Sequence, residues 1–395
     1  MIGLDDVRAA QRTLDGVVQP TPLTRSATFS RLTGAEVYLK CENLQRTGSF
    51  KIRGAYNRLA ALSTDERSRG VVAASAGNHA QGVALAAQLL GIHATVYMPV
   101  NTPLAKVAAT QSYGAAIQLE GQSYDDAYHA AMGGAGAAIF VHPFDDERVM
   151  AGQGTVGLEV LDHLPDVDVV LAPVGGGGLI AGIATAVKAQ RPDAQVIGVQ
   201  AAGSNAVWAE LHGATPESMG TIADGTVVKQ PGRMTLEVIR RCVDEVVQVQ
   251  EEDIARAMVL LLERSKLVVE GAGALGLAAL LSGAVSLAGK KVAVVLSGGN
   301  LDINLMARVI EHGLAVAGRY LIFETWLEDK PGELLKVLDI LQRERINILS
   351  VEHRRPASFP SVEVMLTVET RDHGHGDRLL EVLRTRGYRV SRVAS

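Results

Sequence analysis

The sequence of 395 residues has only two cysteines, few aromatic residues and no long hydrophobic segment. No apolar run approaches the ~18 residues that a membrane-spanning helix needs. The first residues, which include Asp5 and Asp6, lack the pattern of a signal peptide. Cys41 and Cys242 do not make a disulfide framework, so we expect reduced thiols and a cytoplasmic location. We interpret Cys41 as a half-buried structural thiol, and a nucleophilic role is the alternative.

Clusters of basic residues are also missing. Lysines and arginines are scattered and the formal net charge is −5, which argues against a nucleic-acid partner. An apolar fraction of 47% and a charged fraction of 21% are typical of a chain with large buried cores. At this length we expect two to three domains.

Most of the sequence alternates short β-like runs with longer helical patterns. The predicted strands are Glu36–Lys40, Val71–Ala74, Ala94–Met98, Ala115–Leu119, Ala138–Val141, Val167–Ala172, Gln195–Gln200, Glu245–Val249 and Lys291–Leu296. The predicted helices include Asn78–Leu90, Leu104–Ser112, Tyr124–Met132, Leu179–Gln190, Glu252–Glu263 and Ala272–Leu281. This alternation predicts an α/β fold whose parallel sheets are covered by helices on both faces.

The character of the sequence changes near residues 314–318. The elements predicted beyond this point are Arg319–Glu328, Leu334–Gln342, Asn347–Glu352, Ser361–Val368, Arg378–Thr385 and Arg389–Val393. Their order, β-α-β-β-α-β, is ferredoxin-like. We expect a large domain over residues 1–313, with a small subdomain at about 45–145 inserted in it, and an appended domain over 319–395. Asp372–Gly376 resembles a metal-binding tract, but we interpret it as a loop.

The segment Ser49–Gly54 places Lys51 after a turn at Gly48 and before a helical pattern. Taken alone, such a lysine is usually a solvated surface charge. A lysine whose site alters its protonation can instead condense with an aldehyde as an imine and later move a proton. Phe50, directly before it, would offer an apolar ring to a flat cofactor.

Four consecutive glycines, Gly175–Gly178, follow an apolar strand and precede a helix. Their backbone amides can turn inward at the helix N-terminus, which favours the binding of one phosphate group. The sequence has neither the G-x-G-x-x-G dinucleotide pattern here nor a P-loop. A tight strand-to-helix turn is the alternative interpretation.

Two polar side chains complete this set. Asn78 follows Gly77 at a helix start, where its side chain would either cap the helix or donate to a ring oxygen of a cofactor. Ser297 ends a strand, where its hydroxyl would either contact a ligand or cap a turn. We interpret His79 as a packed or surface histidine. With Lys51 and the glycines, these residues predict pyridoxal 5′-phosphate as the cofactor.

The motifs, in this order, resemble the threonine dehydratase (threonine ammonia-lyase) family of fold type II pyridoxal-phosphate enzymes. The resemblance spans essentially the whole chain and rests on Gln19–Leu23, Ser49–Gly54, Ser75–Gly82, Gly175–Gly178, Glu270–Ala274 and Ser297–Asn300. It implies a two-domain, tryptophan synthase β-like catalytic fold. Residues 327–334 resemble the first loop of an ACT domain, which implies a C-terminal ferredoxin-like regulatory domain.

The resemblance also implies residue roles. Lys51 would bind the cofactor covalently and remove the substrate α-proton. The other cofactor-binding residues would be Phe50, Asn78, Gly175, Gly176, Gly177, Gly178, Leu179, Glu270 and Ser297. The substrate-binding residues would be Ser75, Ala76, Gly77 and Asn78. The implied reaction converts L-threonine to 2-oxobutanoate and ammonia.

The sequence departs at two places from the serine racemases, which it also resembles. The resemblance implies that a racemase has a serine at the position of Ala76 as a second acid–base, whereas an alanine methyl carries no proton. It also implies a divalent-ion site in the loop matching Ala202–Trp208, which has no acidic residue here, so we predict no metal. A monovalent ion held by backbone carbonyls stays open.

Threonine deamination is therefore our first hypothesis, with serine as a slower substrate, because one methyl group discriminates only ~10–200-fold. The alternatives are an L-serine or threo-3-hydroxyaspartate dehydratase and a catalytically silent amino-acid sensor. We expect a homo-oligomer, either dimer or tetramer, without a nucleic-acid or membrane partner. We also expect isoleucine or valine to act as an allosteric effector near Gly332 and Asn347, unless the module only pairs subunits. A role in isoleucine biosynthesis or in threonine breakdown stays open.

Overall fold

The computed structural model describes residues 1–134, 136–218, 220–316, 318–354 and 361–393. Residue 317, within the predicted change of character, lies outside the described residues. The chain divides into two compact units, Met1–Leu301 and Asp302–Ser395. The second unit thus begins before residue 313, and it includes a helix, Ile303–Val316, that contacts the strand Tyr320–Glu328.

The first unit alternates strands and helices. Its α-helices are α1 (Leu4–Leu14), α2 (Ala27–Thr33), α3 (Lys51–Ala60), α4 (Thr64–Arg69), α5 (Asn78–Leu90), α6 (Leu104–Gln111), α7 (Tyr124–Gly134), α8 (Glu147–His163), α9 (Gly178–Gln190), α10 (Ala206–His212), α11 (Arg233–Cys242), α12 (Glu251–Leu260) and α13 (Gly271–Ser282). Its strands are β1 (Leu23–Arg25), β2 (Glu36–Cys41), β3 (Val71–Ala74), β4 (Ala94–Met98), β5 (Ala116–Leu119), β6 (Ile139–Phe140), β7 (Val169–Pro173), β8 (Gln195–Ala201), β9 (Glu245–Val249) and β10 (Lys291–Leu296).

These strands form two sheets. The larger sheet has the order β1-β2-β10-β7-β8-β9 and is parallel except for the edge pair β1–β2. The smaller sheet has the order β5-β4-β3-β6 and is parallel throughout. Each sheet has its own apolar core. Strand β7 is buried along its whole length, which is the physical reason for its continuous apolar run.

The carboxyl ends of three neighbouring strands position the predicted motifs. Strands β2, β10 and β7 lie side by side in parallel. The segment with the predicted lysine follows β2, Ser297 follows β10, and the four glycines follow β7. Ligands in open parallel sheets bind outside these strand ends, so the larger sheet brings the three motifs toward one place.

The second unit contains α14 (Ile303–Val316), β11 (Tyr320–Glu328), α15 (Glu333–Arg343), β12 (Asn347–Arg354), β13 (Ser361–Glu369), α16 (His373–Thr385) and β14 (Val390–Arg392). Its sheet is antiparallel and has the order β12-β13-β11-β14. One face of β11 is buried and the other partly exposed, as its alternating pattern requires. The predicted β-α-β-β-α-β order is present in this unit.

The predicted strands agree with the structure to within one or two residues at most ends. The predicted loop at Asp372–Gly376 is wrong, because Asp372 accepts a hydrogen bond from the His375 N–H (2.8 Å) and begins α16. Helix α12 ends at Leu260 and continues as a π-helical turn, Leu261–Ser265. Among the described residues, no helix has the length and hydrophobicity needed to cross a membrane.

Candidate active site

The turn before α3 is bound to the segment that follows β10. The Phe50 N–H donates to the Ser297 carbonyl (3.1 Å), and the Gly299 N–H donates to the Gly48 carbonyl (2.8 Å). Gly48 has a φ of +70°, and a Cβ there would clash with Asn300 Oδ1. Glycine is therefore needed at the turn that leads into α3.

Lys51 is the first residue of α3, and its amine points at a backbone carbonyl. Nζ donates to the Pro143 carbonyl (3.0 Å) and lies 5.2 Å from the centroid of the Phe50 ring. Burial lowers the pKa of Lys51 to about 8, and the charge of Glu270 opposes this shift. The amine is thus far easier to deprotonate than an ordinary lysine, as a nucleophile requires.

The four glycines form the connection between β7 and α9. Gly177 has a φ of +93° and is the N-cap residue of α9. A Cβ on Gly176 would clash with the ring of Phe144, so a side chain would not fit there. Thr235 Oγ1 donates to the Gly176 carbonyl (2.7 Å), which fixes the loop from α11. The loop leaves backbone amides at a helix N-terminus, the arrangement that binds a phosphate.

Asn78 begins α5, but its side chain does not cap that helix. The N-cap residue is Gly77, so the capping alternative is wrong. Asn78 Nδ2 donates to Glu270 Oε1 (2.7 Å), and Asn78 Oδ1 accepts from Asn300 Nδ2 (2.8 Å). This chain of hydrogen bonds joins the end of β3 in the smaller sheet to two segments of the larger one.

Glu270 is 3% exposed and lies at the N-terminus of α13. Burial and, to a lesser extent, the charge of Asp224 raise its pKa to about 8, whereas the Asn78 hydrogen bond and the charge of Lys106 oppose this shift. The carboxyl group is therefore mostly neutral at pH 7.

The remaining predicted residues surround this cluster. Ser297 is buried at the end of β10. Ser75 follows β3, and its hydroxyl accepts from the Gly77 N–H (3.2 Å). Ala76 between them is partly exposed. Leu179 is buried in the first turn of α9.

Comparison with known proteins identifies this arrangement. The sequence profile of the family "Pyridoxal-phosphate dependent enzyme" matches residues 14–298. The chain belongs to this family. An L-threonine ammonia-lyase of Thermotoga maritima is 50% identical over 400 residues, which cover 99% of this chain and 99% of that protein.

Two solved structures are also similar to this pyridoxal-phosphate enzyme. The processed form of a threonine deaminase from Solanum lycopersicum is 35% identical, with a TM-score of 0.74, and the match covers 78% of this chain and 86% of that one. A maize serine racemase is 35% identical, with a TM-score of 0.73, and the match covers 80% of this chain and 98% of that one. The predictions of a fold type II enzyme and of its cofactor are thus confirmed.

The residues present fit pyridoxal phosphate. The glycine loop offers backbone amides at the N-terminus of α9, and it must be glycine at Gly176 and Gly178 because a Cβ there would clash with Phe144. The buried hydroxyl of Ser49, next to the lysine segment, has no hydrogen-bond partner within the described protein, so a polar atom is left for another group. Lys51 has the lowered pKa that covalent attachment of an aldehyde needs.

The segment His142–Asp145, which no sequence motif marks, lies between the lysine and the glycine loop. His142 Nδ1 accepts from the N–H groups of Phe144 (3.2 Å) and Asp145 (2.8 Å), which shapes the turn. Pro143 receives the Lys51 amine, and Phe144 packs on the glycines. The segment follows strand β6, so its position at a strand end was the signal that could have found it.

Asp145 connects the same turn to α11. Its Oδ1 accepts from the N–H groups of Met234 (2.8 Å) and Thr235 (3.1 Å) at the start of that helix. Since Thr235 holds the Gly176 carbonyl, one turn contacts both the lysine and the support of the glycine loop.

Two other predicted residues are structural. His79 is buried, its Nε2 lies 2.9 Å from the Val141 carbonyl, and burial lowers its pKa to about 3, so it is packed and neutral. Cys41 is fully buried rather than half-buried, and burial raises the pKa of its thiol to about 11, which disfavours a nucleophile. Within the described ranges, no three His, Cys, Asp or Glu residues form a group that could hold a metal ion.

Proposed function

We propose that this chain is a pyridoxal-phosphate-dependent threonine ammonia-lyase that converts L-threonine to 2-oxobutanoate and ammonia. The observation that carries the proposal is the convergence of a low-pKa lysine, a glycine loop at a helix N-terminus and a buried strand-end serine in the first unit. The name of the Thermotoga maritima relative, at 50% identity over nearly the full length, supports the substrate.

The proposal gives each residue a task. Lys51 would hold the cofactor covalently and would also be the group that removes the α-proton of the substrate. Gly175–Gly178, with Leu179, bind the phosphate through backbone amides. Asn78 and Ser297 would hold the polar atoms of the cofactor ring, and Glu270 and Phe50 would border it.

Pyridoxal phosphate, when bound, supplies a ring that withdraws electrons from the substrate α-carbon. The chain must then orient the substrate carboxylate and move one proton. Ser75, Ala76 and Gly77 precede α5, whose N-terminus favours an anion, so this loop receives the carboxylate. The Pro143 carbonyl accepts a hydrogen bond from the Lys51 amine and so orients it.

A racemase is the second candidate, because serine racemases are among the similar structures. Racemisation needs a proton carrier on each face of the α-carbon. Lys51 is one such group, but Ala76 has only a methyl group on the loop assigned to the substrate carboxylate. This supports elimination over racemisation.

The test is keto-acid release from threonine, serine and threo-3-hydroxyaspartate by the purified enzyme. We expect threonine to have the highest kcat/KM and serine to be slower. Lys51→Ala should lose both activity and the visible absorbance of the cofactor, whereas Lys290→Ala, a change at an exposed loop lysine, should keep both. Borohydride reduction followed by peptide mapping should label Lys51. A label elsewhere, or activity without Lys51, would contradict the assignment.

We further propose that residues 319–395 form an ACT-like regulatory domain appended to the catalytic domain at 1–313. Its ferredoxin-like order and antiparallel sheet support this. Gly332 has a φ of +93° at the N-cap of α15, and Asn347 is the first residue of β12. Isoleucine or valine would bind near these two positions and shift the enzyme between two states of different activity.

Titration of each amino acid against the threonine saturation curve tests this regulatory proposal. We expect a changed midpoint or cooperativity with one of the two effectors, and loss of this response in Asn347→Ala with basal activity kept. No binding and no kinetic change with either amino acid would refute the effector, and the domain would then serve only to pair subunits in a dimer or tetramer.

A further inference from the structure

A short turn of the first unit borders the proposed site. It is the 3₁₀ turn Asp224–Thr226, between α10 and α11. A Cβ on Gly175 would lie 3.0 Å from Thr226 Cα, so the turn covers the glycine loop. A Cβ on Gly225 would lie 3.7 Å from Glu270 Oε1 and 3.9 Å from Asn78 Nδ2. The turn therefore borders the proposed cofactor and substrate residues.

Asp224 in this turn makes an ion pair with Lys106, on helix α6 beside the smaller sheet. Lys106 Nζ lies 2.9 Å from Asp224 Oδ2, and the Lys106 side chain is 25% exposed. The charge of Asp224 raises the pKa of Glu270, whereas the charge of Lys106 lowers it. A cation thus lies near the site, and a carboxylate cancels its charge.

We propose that Asp224 is a specificity-determining residue: by neutralising Lys106, it makes the site prefer β-hydroxy amino acids with an uncharged side chain over those with an anionic one. This inference rests on the proposed lyase function and goes beyond it. With Asp224 present, an anionic side chain gains no net attraction from Lys106 and faces a carboxylate of the same sign. Without it, Lys106 is free to attract that anion.

The structure supplies a matched control. Lys229, in the loop before α11, also forms an ion pair with Asp125, on helix α7 beside the smaller sheet. Their side chains are 73% and 43% exposed, and neither residue is among the groups that shift the pKa of Glu270 most. Loss of the Lys229–Asp125 pair tests whether Asp224 affects substrate preference only by linking the parts of the first unit that contain the larger and the smaller sheet.

The experiment compares kcat/KM for threo-3-hydroxyaspartate and L-threonine in the wild type, Asp224→Asn and Asp125→Asn holoenzymes. We expect Asp224→Asn to raise the hydroxyaspartate-to-threonine ratio roughly tenfold, because the unit charge that is lost lies on a half-exposed side chain and is partly screened by solvent. Asp125→Asn should leave the ratio within about twofold. The double variant Asp224→Asn, Lys106→Gln should return the ratio toward the wild-type value.

An unchanged ratio in Asp224→Asn, or an equal rise in Asp125→Asn, would overturn the proposal.

A second measurement tests the role of Asp224 independently of the proposed lyase function. Succinate and butyrate, which have the same number of carbon atoms, are titrated against the cofactor absorbance. Asp224→Asn should tighten succinate binding about tenfold and leave butyrate unchanged, even if threonine is not a substrate. Equal succinate affinity in the wild type and in Asp224→Asn would refute the proposed effect of the Asp224 charge.

Discussion

Replacement of Arg53 by methionine should be among the most damaging single changes in the first unit. Arg53 lies two residues after Lys51 and is fully buried. Its Nε and Nη2 donate to the two carboxylate oxygens of Glu42 (2.8 Å each), and Nη1 and Nη2 donate to Glu159 (2.5 and 3.0 Å). Lys40, also buried, pairs with Glu159 as well.

The magnitude follows from the charges that the substitution leaves behind. Burial alone would raise the pKa of Glu42, but Arg53 holds it below its usual value. Arg53→Met leaves two carboxylates with only one buried cation, and breaking a buried pair in this way costs about 3–5 kcal/mol. The same substitution at Arg25, whose pair with Glu36 is partly exposed to solvent, should cost only about 0–1 kcal/mol.

Unfolding of the first unit can be followed separately from that of the second by tryptophan fluorescence. Its two tryptophans are Trp208 in the first unit and Trp326 in the second. In a Trp326→Phe background, fluorescence during urea unfolding reports on Trp208 alone. With a slope of about 3 kcal/mol per molar urea, Arg53→Met should lower the midpoint by about 1–1.7 M.

Arg25→Met should move this midpoint by less than about 0.3 M. If Arg53→Met shifts the midpoint no more than Arg25→Met does, the buried charges are not held as the structure indicates, and the reasoning from their burial fails.

Three further predictions concern the apoenzyme and the cofactor. Burial lowers the pKa of Lys51 to about 8, so the rate of cofactor attachment, followed by absorbance, should rise with pH to a midpoint near 8; a midpoint near the ordinary lysine value would contradict this. The folded-state pKa of Glu270, about 8, lies above its unfolded value, so this group contributes stability that is lost as pH rises from about 4.5 through 8. Glu270→Gln should therefore show a smaller fall in the urea midpoint between pH 5 and 9 than its parent, and an equal fall would count against the assignment. His142→Ala should lower cofactor occupancy because two N–H groups lose their acceptor, whereas His142→Asn, which keeps an acceptor near the Nδ1 position, should retain it; equal loss in both would make the acceptor irrelevant.

Features that depend on local sequence could be predicted. The apolar run of β7 and the glycines after it define a strand and a strand-to-helix connection without any tertiary information. Lys51 was found because a turn and a helical pattern flank it. Because β2, β10 and β7 are neighbours in the larger sheet, the carboxyl-end rule for parallel strands then places the segments that follow them near one another.

Features that depend on long-range contacts could not be predicted. The role of Asn78 is set by Glu270 and Asn300, which lie far from it in sequence, so the sequence left helix capping and ligand binding equally open. His142 and Phe144 carry no motif, and their positions matter only because the chain brings them against Lys51 and the glycine loop. The same limit applies to the Arg53 network, which resembles ordinary surface charge in the sequence.

Burial sets the charge of the proposed site before any ligand arrives. It raises the pKa of Glu270 to about 8 and lowers that of His79 to about 3, so both groups are mostly neutral at pH 7. Lys51, with a pKa of about 8, is mostly cationic at pH 7, and neither Glu270 nor His79 carries a negative charge that would neutralise it. A positive site favours the phosphate of the cofactor and the carboxylate of an amino acid. Neither Ser297 nor a protonated Glu270 would place a negative charge beside a bound pyridoxal phosphate, so these residues would leave its ring a moderate electron acceptor.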